Sequence, residues 1–253
     1  MFDLITIPDK KWMKPIPAIK EYYKDRDVMV FRVLFEYTSY AQYQEIDVKK
    51  VVSVDTLSQV YKKYAEKECS TDYLRELSQN IIKDVTNPYL KAKRIYEWIS
   101  KNMTWTFPDN VSSYFECDYD AKRKRGDCGN WSDLFIKLCR LNNIPARGEG
   151  GWKVRPNRDH AAHSWAEIYI EPYGWLPVDP TFGSHLINNK NNKLKYGYFC
   201  DIDQYRLITY TGIEPTYPLG IFGSSLQLGY FEWRGGEIGD DKFNLKIDSF
   251  AEE

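Results

Sequence analysis

Residues 126–147 read Gly-Asp-Cys-Gly-Asn-Trp-Ser-Asp-Leu-Phe-Ile-Lys-Leu-Cys-Arg-Leu-Asn-Asn-Ile-Pro-Ala-Arg, and this stretch decides how the chain folds. Its apolar side chains recur at three- and four-residue steps, which predicts a helix. Asp127 is the expected N-cap, and Pro145 ends the pattern. Cys128 therefore lies at the helix N-terminus, where the helix dipole and unpaired N–H groups favour a thiolate. Taken alone, a free cysteine is more often a small buried hydrophobe.

The composition is that of an ordinary globular chain. The 253 residues suit one large domain or two small ones, and 43% of them are hydrophobic and 28% charged. The net charge of −1 gives no general attraction to nucleic acid. No apolar run approaches the roughly 18 residues of a membrane span. The first residues lack the pattern of a signal peptide, so we expect a cytoplasmic protein that binds neither nucleic acid nor membrane.

The cysteines and histidines limit the kinds of site that the chain can form. An odd number of cysteines without C-x-x-C spacing predicts neither a disulfide framework nor a thiolate zinc site. His160 and His163, with Asp159, form an H-x-x-H pattern, but that spacing does not suit two metal ligands on one strand face. We therefore expect no metal and no cofactor. The five cysteines are Cys69, Cys117, Cys128, Cys139 and Cys200.

Strands and helices alternate in blocks along the rest of the chain. Apolar alternation predicts strands over 28–38 and again over 43–53. Three amphipathic helices follow: the first is capped by Asp55, the second spans about 72–85, and the third opens at Asn87-Pro88. The C-terminal part is rich in Tyr, Phe and Gly and is typical of short strands.

A predicted hairpin supplies a histidine and a carboxylate downstream of the cysteine. Residues 162–171 alternate as a strand that carries His163, and a turn at 172–174 leads to a second strand that ends at Asp179. Pro177 predicts an edge strand or a bulge.

The hairpin register decides whether Asp179 can reach His163. If Glu171 paired with Gly174, Asp179 would lie on the opposite face of the sheet. A three-residue loop that pairs Ile170 with Gly174 puts both side chains on one face, at about 7–8 Å between Cα atoms. A Cys-His-Asp site therefore requires that loop or a bulge.

With that register, the three residues have a definite chemistry. The Cys128 thiolate attacks a carbonyl carbon, and His163 protonates the leaving group. Asp179 fixes the tautomer of the imidazole, and the backbone N–H of Cys128 points to where an oxyanion would form.

Three blocks of sequence together resemble the transglutaminase-like superfamily. They are Gly126-Asp127-Cys128 with its helix, His163-Ser164-Trp165-Ala166-Glu167, and Gly-Trp-Leu-Pro-Val-Asp-Pro-Thr at 174–181. The upstream helix at 92–105 is also similar to the family's lead-in, so the likeness covers about 88–183.

The resemblance implies a fold, catalytic residues and a domain organisation. The fold is α+β, with a papain/transglutaminase-like core of N-terminal helices and a nucleophile helix packed on an antiparallel sheet, and with flanking β segments. The catalytic residues are Cys128, His163 and Asp179. We expect one compact unit made of an N-terminal β extension at 1–54, a catalytic core at 55–200 and a C-terminal β segment at 201–253.

Aromatic residues near the site are candidates for substrate contact. The family uses an aromatic or amide side chain upstream of the cysteine to stabilise the oxyanion, and Trp105 or Tyr114 could serve here. Trp131 and Trp165 either line a groove that excludes water or belong to the core.

The reaction itself remains open among several hypotheses. The leading one is an acyl-transfer enzyme that takes an acyl group from an amide or thioester donor and passes it to an amine or to water. The donor could instead be the thioester of an acidic carrier protein docked at the basic run Lys122–Arg125, which would make the enzyme an amidotransferase. A third hypothesis is a peptidase or amidase, and a fourth is a binding module that kept the triad by descent.

Overall fold

The structure is a computed structural model, and it describes residues 19–25, 28–34, 38–65, 70–106, 118–154, 161–188 and 197–213. Five of the residues named above lie outside this part of the chain, namely Cys69, Tyr114, Cys117, Asp159 and His160, and so do residues 1–18 and 214–253 of the predicted flanking β segments. The strands in chain order are β1 (Ile19–Asp25), β2 (Val28–Leu34), β3 (Gln42–Tyr43), β4 (Thr104–Trp105), β5 (Arg125–Gly126), β6 (Ala146–Lys153), β7 (Ala161–Ile170), β8 (Gly174–Val178), β9 (Asp201–Ile202) and β10 (Arg206–Ile213). The helices are α1 (Gln59–Tyr64), α2 (Asp72–Ile82), α3 (Pro88–Asn102), α4 (Tyr119–Arg123), α5 (Cys128–Leu141) and α6 (Pro180–Asn188).

An antiparallel sheet of four strands, in the order β10-β6-β7-β8, carries the site. Strand β7 is paired along its length, with β6 on one side and β8 on the other. Pro177 lies in the edge strand β8, as predicted, where its missing N–H leaves no gap in a central ladder. The β7–β8 hairpin pairs Ile170 with Gly174, which is the register that places Asp179 on the His163 side.

Helix α5 packs against β7 and gives the fold its main hydrophobic core. The helix is amphipathic, and its apolar side chains recur every three or four residues, so one stripe faces the sheet. Helix α3 also packs against α5. The α+β architecture predicted from the sequence is therefore the observed one. Fully buried members of the core include Ile95, Ile99, Leu134, Phe135, Leu138 and Ile168.

The start of α3 follows directly from its sequence. The side chain of Asn87 accepts a hydrogen bond from the backbone N–H of Leu90 at 3.2 Å, and Pro88 occupies the first helical turn. Proline costs nothing there because the first-turn N–H groups have no intrahelical acceptor. The predicted opening of this helix at Asn87-Pro88 is confirmed.

The predicted cap of α1 is wrong by three residues. Ser58, not Asp55, caps the helix, because the Ser58 hydroxyl accepts the N–H of Tyr61 at 3.1 Å. The Asp55 carboxylate accepts the N–H of Leu57 at 2.9 Å and so forms a separate turn before the helix.

The strand predicted over 43–53 is also wrong. Only Gln42–Tyr43 pairs there as a strand, and Val48–Lys50 is a short 3-10 helix. The carboxylate of Asp47 accepts the backbone N–H of Lys49 at 3.0 Å, which draws the chain into a turn. A side chain that bonds its own backbone competes with strand pairing, and apolar alternation does not reveal this competition.

Helix α6 follows Asp179 immediately and packs closely on α3. The two helices approach at Gly183, where an added Cβ would overlap the ring and hydroxyl of Tyr96. The hydroxyl of Tyr96 donates a hydrogen bond to the carbonyl oxygen of Gly197 at 2.6 Å, so the ring cannot move aside without losing it. No helix was predicted over these residues from the sequence.

We expect Gly183→Ala to destabilise the fold by about 1–3 kcal/mol, because the new methyl group overpacks the α3–α6 contact. Urea unfolding measures the change. Gly197→Ala is the matched control, because its Cβ would meet the Asp201 carboxylate at an ordinary 3.6 Å. Equal stability of the two variants would contradict the expected close contact.

Candidate active site

A reciprocal pair of hydrogen bonds starts the nucleophile helix. The Asp127 carboxylate accepts the backbone N–H of Asn130 at 3.0 Å, and the Asn130 side-chain oxygen accepts the N–H of Asp127 at 3.0 Å. This capping box makes Cys128 the first residue of α5 and confirms Asp127 as the predicted cap. The backbone N–H of Cys128 belongs to the first turn, whose donors have no intrahelical acceptor.

The buried carboxyl group of Asp120 holds the capping box in place through a hydrogen bond to Asn130. The amide nitrogen of Asn130 donates to Oδ2 of Asp120 at 3.0 Å. Burial, together with the nearby charge of Asp133, raises the pKa of Asp120 to about 7. Neither Asp120 nor Asn130 was predicted from the sequence, although Asp127 followed three residues later by the amide of Asn130 is a usable capping signal. Gly126 is constrained by the same group, because an added Cβ would lie 2.6 Å from that of Asn130.

Trp131 and Trp165, for which the sequence left both a groove and the core open, are buried in the structure. Trp131 is 1% exposed, and its indole N–H donates to the carbonyl oxygen of Gly126 at 2.9 Å. Trp165 is also 1% exposed, donates to the Glu149 carboxylate at 2.9 Å and stacks on His163 with ring centroids 6.0 Å apart. Both side chains support the site from the interior, because their large apolar rings gain more from core burial than from lining a groove.

Trp105 lies on a short strand beside the residues that precede the nucleophile helix. Strand β4 pairs in parallel with β5, which places Trp105 opposite Gly126, two residues before Cys128. The residue is 48% exposed, so a substrate from solvent can reach it. Its part in oxyanion stabilisation or substrate binding remains a prediction, as does that of Tyr114.

His163 and Asp179 form a buried, hydrogen-bonded pair. Nε2 of His163 lies 2.7 Å from Oδ2 of Asp179. Asp179 is fully buried, and its other oxygen accepts the backbone N–H of Phe182 at 3.1 Å, so both carboxylate oxygens are occupied. The edge of the Phe182 ring packs against the imidazole with centroids 5.1 Å apart.

Cys128 completes the arrangement from the other side of the imidazole. Its thiol is hydrogen-bonded to the imidazole of His163. Because Nε2 of the ring faces Asp179, Nδ1 is the nitrogen that faces the sulfur. Burial opposes a charged imidazole, but Asp179 and Cys128 outweigh it and raise the pKa of His163 to about 9. Burial likewise opposes a charged Asp179, but His163 and Arg206 lower the pKa of that carboxyl group to about 2. Near neutral pH, the site therefore holds an imidazolium beside a carboxylate.

Arg206 is a site residue that the sequence analysis missed. Its Nη1 lies 2.9 Å from Oδ2 of Asp179, the same oxygen that faces His163. Arg206 belongs to β10, and no local motif marks it. Only the pairing of β10 with β6 brings it to the site.

Metal-binding clusters and membrane-spanning helices are both lacking among the residues that the structure describes. Within this part of the chain, no group of three or more His, Cys, Asp or Glu side chains is arranged to hold a metal ion. None of the helices described combines the length and the apolar character needed to cross a membrane.

The buried pair should make stability depend on pH. The pKa of His163 is raised from 6.5. The contribution of the charged imidazole to the free energy of unfolding is therefore complete below about pH 6.5 and is lost as the pH rises through about 9. The pKa of Asp179 is lowered from 3.8, so its contribution is present above about pH 4 and is lost as the pH falls towards 2. We expect urea unfolding to show a decline between pH 6.5 and 9 that His163→Gln reduces. An unchanged decline in that variant would contradict the raised pKa.

The region that contains this site is similar to a known family. Residues 75–180 match the model of the transglutaminase-like superfamily. The uncharacterised protein YebA of Bacillus subtilis is 29% identical over 129 residues, which cover 44% of this chain and 17% of YebA. An uncharacterised protein of Haemophilus influenzae is 28% identical over 186 residues, which cover 62% of this chain and 46% of that protein. The matched regions thus span less than half the length of either relative.

The solved structures to which the chain is similar have lower sequence identity. A candidate cysteine protease from Cytophaga hutchinsonii is 19% identical, with a TM-score of 0.47, and the likeness covers 68% of this chain and 67% of that one. The periplasmic domain of TgpA from Pseudomonas aeruginosa is 18% identical, with a TM-score of 0.42, and the likeness covers 54% and 52% of the two chains. Residues 75–180 are thus similar to the transglutaminase-like superfamily, and the matched stretch contains Cys128, His163 and Asp179.

Proposed function

We propose that this protein is a cysteine-dependent acyl-transfer enzyme that forms an acyl thioester on Cys128. The observation that carries the proposal is the connected set Cys128–His163–Asp179, in which a thiol at a helix N-terminus contacts a buried imidazole that a carboxylate orients. A nucleophile, a base and a group that orients the base are the parts that covalent acyl transfer requires. The transglutaminase-like fold supports a cysteine enzyme in general.

The first half of the reaction consumes the acyl donor. The sulfur of Cys128 bonds to the carbonyl carbon, and the developing oxyanion lies near the first-turn N–H groups of α5. The bond from that carbon to the leaving nitrogen or sulfur then breaks, and the leaving group takes the proton of His163. The products are the acyl thioester of Cys128 and the free amine or thiol.

The second half regenerates the enzyme. An amine or a water molecule attacks the thioester carbon and gives its proton to the imidazole of His163. The carbon–sulfur bond breaks, which restores the thiolate and releases an amide or an acid. Asp179 stays ionised throughout, because Arg206 and His163 both stabilise its negative charge.

The acceptor decides between transamidation and hydrolysis, and Trp105 bears on that choice. An exposed indole beside Gly126 offers an apolar surface for the carbon chain of an amine. We therefore place amine transfer first and hydrolysis, as in a peptidase or amidase, second.

The carrier-protein hypothesis has less support. Lys122 pairs with Asp118 at 2.9 Å, and the guanidinium of Arg123 stacks on Tyr119, so part of the basic run is already engaged within the chain. Lys124 is exposed beside β5. An acidic partner would meet a weaker positive surface than the sequence alone suggests.

We expect Cys128→Ala to lower turnover of small amide and thioester donors by about three orders of magnitude or more, because the nucleophile is lost. Assays run with and without a primary amine, and mass spectrometry identifies the products. In the wild-type protein, a brief incubation should give an acyl adduct on the peptide that contains Cys128.

Cys139→Ala is the matched control, because Cys139 belongs to the same helix but is fully buried in the core. Burial raises the pKa of the Cys139 thiol well above its usual value, so it should neither react nor affect turnover. Turnover that survives Cys128→Ala would overturn the proposed nucleophile. Amide formed only in the presence of amine identifies a transferase, and acid formed at an equal rate without amine identifies a hydrolase.

A further inference from the structure

A buried arginine extends the site beyond Asp179. Arg206 is 3% exposed, and its guanidinium lies between two aspartates. Nη1 contacts Oδ2 of Asp179 at 2.9 Å, and Nε contacts Oδ1 of Asp203 at 3.2 Å. Burial opposes its charge, but the two carboxylates outweigh that cost and raise the pKa of Arg206, so the arginine stays charged. A charged arginine in the interior needs such partners to offset its desolvation.

Aromatic rings and further hydrogen bonds hold the guanidinium in place. It lies 4.6 Å from the ring centre of Phe182, which also packs on His163. The second aspartate is fixed in turn, because Asp203 accepts the hydroxyl of Tyr198 at 2.9 Å and the backbone N–H of Tyr205 at 3.0 Å. The result is one continuous buried row of alternating charge that runs from His163 through Asp179 and Arg206 to Asp203.

We propose that Arg206 is a positioning residue that holds the Asp179 carboxylate against His163 and takes up part of its negative charge, so that the imidazolium can release its proton to the leaving group. The oxygen that faces His163 is the one that Arg206 contacts, so the two cations share its charge. Without the arginine, the whole charge of Asp179 would act on the imidazolium and hold its proton more tightly. The catalytic part of this role rests on the proposed function, but the electrostatic part does not.

Several neighbouring elements contribute charged or titratable groups that affect the pKa of His163. Asp203 and Tyr198 act on it through Arg206, while the remaining groups face Asp179 or His163 or lie next to them. The groups are Cys128 from α5, Tyr96 from α3, Lys153 from β6 across the Phe182 ring, Arg206 from β10, and Asp203 and Tyr198 from the segment before it.

Nuclear magnetic resonance titration of the His163 imidazole tests the proposal without a substrate. The chain has three histidines, so His163→Gln assigns the resonance. We expect Arg206→Met to raise the pKa of His163 by about one unit, because a positive neighbour is lost. Arg206→Lys keeps the charge and should restore most of the original value.

Two companion variants separate this effect from a loss of stability. Arg140→Met also removes a buried arginine, but one that bonds the carbonyl oxygen of Ala146 beyond the far end of α5, and it should leave the His163 titration unchanged. Asp203→Asn keeps Arg206 and should lower the pKa of His163, because more of the arginine's charge then acts on Asp179.

An unchanged or lowered pKa of His163 in Arg206→Met, or a raised one in Asp203→Asn, would overturn the proposal. If Arg206→Met fails to fold, the sign of the shift in Asp203→Asn still decides the outcome. With an active substrate, Arg206→Met should lower kcat while KM changes little. Turnover that survives Cys128→Ala would refute the proposed function and leave the titration result standing.

Discussion

The contact between His163 and Asp179 is the interaction on which the rest of this site depends. Its two atoms are 2.7 Å apart in the protein interior, where an unpaired charge would be very costly. Further partners stabilise the Asp179 carboxylate, because Arg206 contacts the same oxygen and the backbone N–H of Phe182 contacts the other. Strands β7, β8 and β10 and the start of α6 are all needed to bring these groups together.

The nucleophile is fixed by a second, separate set of contacts. The capping box of Asp127 and Asn130 sets where α5 begins, and the buried Asp120 holds Asn130 in turn. The indole N–H of Trp131 donates a hydrogen bond to the carbonyl oxygen of Gly126. Cys128 is thereby held against β7 by groups that have no part in the chemistry themselves. Such a supporting layer is what keeps a reactive geometry from relaxing.

Several features of the fold followed from local patterns. The α5 helix, its cap at Asp127 and the opening of α3 at Asn87-Pro88 could be read from side-chain spacing and capping chemistry. Local patterns failed where side chains competed with the backbone. Asp47 draws a predicted strand into a turn, and Ser58 displaces the expected cap at Asp55. Alternation of apolar residues reports burial on one face and carries no information about such bonds.

The sequence by itself determined where helix α5 begins and which hairpin carries His163 and Asp179, because capping, periodicity and turn signals act over a few residues. The type of fold was implied by the resemblance to the transglutaminase-like superfamily. The tertiary structure decided what surrounds the site residues. It selected the register that pairs Ile170 with Gly174, buried Trp131 and Trp165, and left Trp105 exposed. It also brought Arg206, 27 residues further along the chain, onto Asp179. Contacts of this kind arise from strand pairing and from the burial of charge across the whole domain, so no short stretch of sequence specifies them.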